Sequence, residues 1–222
     1  MPALNVSRLG ALIAMFAVAD FSFARPVAAH PHVSVIASAT INIEQGTITS
    51  ISHVWTFDEF YSAMAVDGLP KNKAGAYGRE ELAELAKVNI DGLKEFGYFT
   101  YATLAKAELK VGDPKPGDYW LEHKDGVLAL HFKVPLEKPV LMDAKGFAVM
   151  ITDPSYFIAF DMAQKDPAKL NEGAPKSCKI AVGVPKEEAA DAKKLSGVFA
   201  EQLGSASGGI GIPKTIMVEC AP

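Results

Sequence analysis

Val33–Phe57 reads VSVIASATINIEQGTITSISHVWTF, and its alternation sets the architecture. Val33, Val35, Ala37, Ala39, Ile41 and Ile43 fall on one side of an extended chain, with Ser34, Ser38, Thr40 and Asn42 on the other. Successive strand side chains point to opposite faces, so the run predicts a half-buried strand. Glu44-Gln45-Gly46-Thr47 predicts a turn, and Ile48–Phe57 is a second run rich in β-formers. Together they predict a long hairpin.

Outward from this hairpin the pattern stays strand-heavy. Gly78–Gly97 predicts a helix, with Leu82, Leu85, Ala86, Leu93 and Phe96 on one stripe, Asn89 bonded within the core and Gly97 as the C-terminal cap. Strands resume over Tyr98–Val111. Tyr119–His123 and Val127–Val134 predict a second hairpin across Lys124-Asp125-Gly126. Phe147–Thr152 and Tyr156–Phe160 predict two strands bent at Asp153-Pro154, and Lys179–Val184 and Thr215–Val218 predict two more. A last helix runs from Pro185-Lys186-Glu187-Glu188 over Ala192, Leu195, Phe199 and Leu203 to Gly204. The helices do not alternate regularly with the strands. The class is therefore α+β, mainly antiparallel and sandwich-like, with two or three helices. The segment 164–177 is the best place for a weak subdivision.

Composition bounds the function. The chain has 222 residues, 49% of them hydrophobic and 22% charged, with a net charge of −4. That is enough apolar material for a real core. Basic residues are not clustered, which argues against nucleic-acid binding.

Arg8 precedes the apolar stretch Leu9–Ala19, Asp20 ends it, and Val27-Ala28-Ala29 satisfies the small-residue rule for signal peptidase. The stretch is too short for a membrane span. We read 1–29 as a cleaved secretory signal and 30–222 as one exported, periplasmic domain. Export to an oxidising compartment favours a disulfide between Cys178 and Cys220, the only two cysteines. Such a bridge closes a loop of about 43 residues, worth about 4 kcal/mol in the chain-entropy description. A two-thiolate metal site is the alternative.

Cleavage after Ala29 makes His30 the new N-terminus, so the exported chain begins His30-Pro31-His32. An α-amino group with a pKa of about 7.7–8 binds metal near neutral pH, and His30 adds an imidazole to it. His32 supplies a second imidazole. Pro31 has no N–H to lose, which excludes the square-planar tripeptide site that needs a deprotonated amide there. A nitrogen-rich site completed from elsewhere suits zinc first, with nickel, cobalt or copper as alternatives. Symmetric pairing about Gln45-Gly46 places His32 opposite Glu59 and Val33 opposite Asp58. A one-residue slip places His32 opposite Asp58 or Phe60. Asp58 and Glu59 are thus candidates to complete the site or, alternatively, caps of a following turn. Asp153, before Pro154 at a bend, is a further candidate ligand.

The remaining histidines are weaker candidates. In the symmetric register His53 faces Ser38, far along the strand from Glu59. His131 reads as a surface residue near Trp120, and His123 sits near a turn. Gly208–Thr215 has Pro213 where a phosphate loop needs glycine. No Gly-x-Ser-x-Gly, His-Glu-x-x-His or Cys-x-x-Cys motif occurs.

His30-Pro31-His32-Val33, Trp55–Ser62 and Ile151–Phe157 occur in this order. With these segments the chain resembles the periplasmic family called domain of unknown function 1007. The resemblance covers essentially the whole exported chain. It departs at Thr152, where a tyrosine is expected before Asp153-Pro154. The resemblance implies a periplasmic component of an ABC-type transport system, linked to nickel, cobalt or zinc. The expected function is therefore a non-enzymatic metal-binding accessory protein that serves a membrane metal transporter. Two alternatives stand beside it. One is a copper oxidoreductase of histidine-brace type, its third nitrogen drawn from His53, His123 or His131. The other is a metal-free envelope interaction module.

Overall fold

Two strands form the hairpin, β1 over Val33–Glu44 and β2 over Thr47–Phe57. The computed structural model describes residues 32–142, 144–184 and 213–221. The expected signal at 1–29, His30 and the expected helix at 185–204 lie outside them. Gln45 (φ 49°) and Gly46 (φ 76°) both take left-handed conformations, as a tight two-residue hairpin turn requires. Val35, Ala37, Ala39, Ile41 and Ile43 are buried along β1, and Ile51, His53, Trp55 and Phe57 along β2.

The register departs from simple symmetry. Glu44 pairs with Thr47 and Ile43 with Ile48, but Asn42 pairs with Ser50. Thr49 is a bulge, and β2 shifts against its other neighbour at the same place. Ile48 and Ile51 are three residues apart, so a regular strand would send them to opposite faces. The extra residue lets both be buried. Beyond it every pair shifts by one, from Ile41 with Ile51 to Val35 with Phe57, and His53 faces Ala39 instead of Ser38.

The hairpin is the centre of the first sheet. Its order is β5 (Tyr119–Lys124), β6 (Val127–Leu141), β2, β1 and β8 (Ile158–Met162), with β9 (Ala168–Leu170) also paired to β1. β8 and β9 run parallel to β1, and the other pairings are antiparallel. The second sheet is antiparallel throughout: β10 (Cys178–Gly183), β11 (Thr215–Cys220), β7 (Phe147–Ile151), β3 (Thr100–Leu104) and β4 (Ala107–Leu109). Ile41, Trp55, Leu130 and Phe132 of the first sheet share one core with Ala102, Phe147, Val149 and Ile216 of the second. The architecture is α+β and sandwich-like. Cys178 and Cys220 face each other across β10 and β11 and are joined by a disulfide.

Two helices are described, α1 (Glu59–Val66) and α2 (Ala83–Lys94). The alternation rule does not reveal α1, because only Asp58 separates it from the end of β2. Asp58 makes the change of direction by capping the helix. α2 is shorter than the expected 78–97. It buries Leu82 at its lip, then Ala86 and Ile90. Asn89 joins the two helices: its amide donates to Leu85 O (2.8 Å), and its oxygen accepts from the Tyr61 hydroxyl (3.1 Å). Gly97, Tyr98 and Phe99 (φ 56°, 57° and 47°) form a left-handed turn where a strand is expected. β9 lies inside 164–177 and ties that segment to β1.

Candidate functional site

The head of β1 is a meeting place. β2 ends beside it at Phe57 and β8 begins on its other side at Ile158. Strand pairing therefore brings together the segments that carry His32, Asp58 and Asp153. The His32 N–H donates to Phe157 O (3.0 Å), and the two rings lie 4.9 Å apart. The Ser34 N–H donates to Asp58 Oδ2 (2.8 Å), and the Asp58 N–H donates to Ser34 O (3.0 Å).

Each carboxylate also organises the backbone around it. Asp58 Oδ1 accepts from the Tyr61 N–H (2.8 Å), which caps α1. Partial burial pushes the Asp58 carboxyl up, but N–H donors from Tyr61, Ser34 and Phe60 outweigh it and hold the group below its ordinary value. Asp153 is buried. Its Oδ1 accepts from the Ser155 N–H (2.8 Å) and hydroxyl (2.7 Å), and its Oδ2 from the Ile158 N–H (3.0 Å). Burial pushes this carboxyl up too, and the Ser155 hydroxyl with the N–H groups of Ile158, Ser155 and Phe157 holds it down. Both acids are anionic at neutral pH.

The bulge at Thr49 decides which acid faces which residue. Asp58 lies against Ser34, and extending the same register would put Phe60 opposite His32. Glu59 has turned away into the first turn of α1, where an acid suits the helix dipole. The structure thus gathers the segments bearing His32, Asp58 and Asp153 at one strand end and leaves Glu59 exposed on α1. Among the described residues no group of three His, Cys, Asp or Glu stands close enough to hold a metal ion. His30 lies outside the described residues.

The other histidines are engaged elsewhere. His53 is buried and stacks on Phe132 (4.7 Å) beside Trp55. The Thr100 hydroxyl donates to Tyr98 O (2.8 Å), so its oxygen is left to accept from His53 Nε2–H at 3.2 Å. Burial pushes the His53 pKa down to about 3. His131 stacks on Trp120 (4.7 Å), with Glu122 Oε2 3.3 Å from its Nε2 and the Arg79 guanidinium 4.4 Å from the Trp120 ring. His123 packs edge-on to Tyr77. Burial lowers the His131 pKa against the opposing pull of Glu122. Two surface clefts also lie elsewhere, one against Cys220 and Lys145, the other against Arg79 and Trp120.

Sequence reasoning misses the apolar rim of this strand end. Phe60 (77% exposed) and Met64 stand on α1, and Tyr156 and Phe157 stand on the loop before β8. The available signal was the aromatic run Phe57–Tyr61, whose members divide once α1 starts. Phe57 is buried, Tyr61 packs against it at 4.6 Å, and Phe60 faces out.

The profile of a family described as "Protein of unknown function (DUF1007)" matches residues 14–220. An uncharacterised protein of Haemophilus influenzae is 27% identical over 139 residues, covering 63% of this chain and 66% of its own. A protein of an Arthrobacter species named UDP-N-acetylmuramate–L-alanine ligase is 28% identical over 152 residues, covering 68% of this chain and 32% of its own. The chain thus spans less than two thirds of the length of either relative. It belongs to the family of unknown function matched over 14–220.

Proposed function

We propose that this family member is an exported divalent-metal binding protein that passes its ion to a membrane transporter. His30, with its imidazole and free amine, and His32 are the primary ligands. Asp58, Asp153 or Glu59 completes the shell. Zinc is the expected ion, with nickel, cobalt and copper as competitors. The carrying observation is convergence: His32 directly precedes β1, and the Asp58 and Asp153 segments flank the head of that strand through its pairing with β2 and β8. Both carboxylates are held ionised and oriented by backbone donors. A carboxylate oxygen that accepts an N–H keeps a second lone pair. The disulfide fits an oxidising compartment. No helix among the described residues is long and apolar enough to cross a membrane.

The test is calorimetry of chain beginning at His30, titrated with Zn²⁺, Ni²⁺, Co²⁺ and Cu²⁺. The expected result is one saturable site, weakened at least ten-fold by His32→Ala and also by one extra residue placed before His30. Equal, weak binding by all three proteins would overturn the reading.

A further inference from the structure

We infer that the head of β1 is also a docking surface for a basic, apolar peptide segment of another protein. This goes beyond the metal reading and needs no bound ion. Phe60, Met64, Tyr156 and Phe157 are among the large apolar side chains that stay exposed. Phe60 and Met64 are four residues apart and share a face of α1. The Asp58–Ser34 and His32–Phe157 hydrogen bonds fix the two pairs on opposite sides of β1. Two strand spacings, about 10 Å, separate the flanking chains.

Charge names the occupant. Residues 32–37, 58–67 and 152–158 contain no Lys or Arg, and they carry Asp58, Glu59, Asp67 and Asp153; Lys214, held at Asp161 opposite Ile36, is offset by that ion pair (2.9 Å). Glu59 and Asp67, at the two ends of α1, are exposed. An anionic membrane would be repelled by this surface. A second copy in a two-fold contact would set the same acids against one another. A segment with Lys or Arg among apolar residues satisfies both features.

The probe is a fluorescent 18-residue amphipathic peptide of Leu and Lys, with a Leu/Glu peptide as its charge-reversed partner. Anisotropy is read on the full processed protein in chelator at two salt concentrations. The expected result is saturable, salt-weakened binding of the Leu/Lys peptide alone. Phe60→Ser/Met64→Ser should weaken it at least ten-fold, and Glu59→Gln/Asp67→Asn several-fold with a shallower salt dependence. These side chains are solvent-facing, so circular dichroism of both variants should match the parent. Unchanged affinity in the Phe60→Ser/Met64→Ser protein would overturn the inference, as would equal binding of the Leu/Glu peptide. So would self-association, or retention on phosphatidylglycerol vesicles, that this double variant abolishes.

Discussion

At Asp58 a single carboxylate caps α1 through one oxygen and holds the Ser34 N–H through the other. Asn keeps an acceptor for the cap and loses the charge, so substitution separates the two roles. Asp58→Ala should cost about 1–2 kcal/mol in chemical denaturation. Asp58→Asn keeps the cap but turns its NH2 toward the Ser34 N–H, so it should cost about 1 kcal/mol and also weaken zinc. At His53 burial has lowered the folded-state pKa to about 3, against 6.5 for the free side chain. Between those values the unfolded chain binds the extra proton, so stability rises with pH across that window and is lost as pH falls through it. The slope should approach about 1.4 kcal/mol per pH unit, seen in urea melts between pH 6.5 and 4. Asp58 and Asp153 have lowered pKa values, so their contributions fade only below the ordinary carboxylate value of 3.8. His53→Phe should therefore flatten the upper part of the curve. A steep slope surviving in that variant would assign the effect to another group.

Among the elements, the β1–β2 hairpin was legible because ten of the eleven residues Val33–Ile43 alternate, Ile36 being the exception, and its turn carries Gln45-Gly46. Its register was not. The one-residue slip at Thr49 follows from burying both Ile48 and Ile51, a demand set by the opposing sheet. The same slip replaces Glu59 with Phe60 in the place across from His32. The left-handed turn at Gly97–Phe99 was equally hidden. It is held by the Tyr98 hydroxyl on Asp113 Oδ1 (2.8 Å), the Thr100 hydroxyl on Tyr98 O, and the Thr152 N–H on Phe99 O (3.2 Å). All of these partners but Thr100 are distant in sequence. A Cβ at Gly97 would meet nothing within 4 Å, so Gly97→Ala carries only the conformational cost of φ 56°. The expected loss is about 1 kcal/mol, measured by thermal denaturation.

For the molecule as a whole, the disulfide joins directly paired residues at the outer edge of the second sheet and closes the connection between β10 and β11. Cys178→Ala/Cys220→Ala should cost about 2–4 kcal/mol, read as a lower denaturation midpoint, with the first sheet's near-ultraviolet signal from Trp55 and Trp120 kept below the transition. Class, strand content, the cysteine pair and the acids worth examining were all written in local order: period, composition and turn chemistry act between near neighbours. Which residue lies across from His32, whether Phe60 is core or rim, and how three segments spread over more than a hundred residues come to one strand end were settled by strand pairing and by the need to bury two mismatched isoleucines together. Those are long-range demands, and no local stretch of chain contains them.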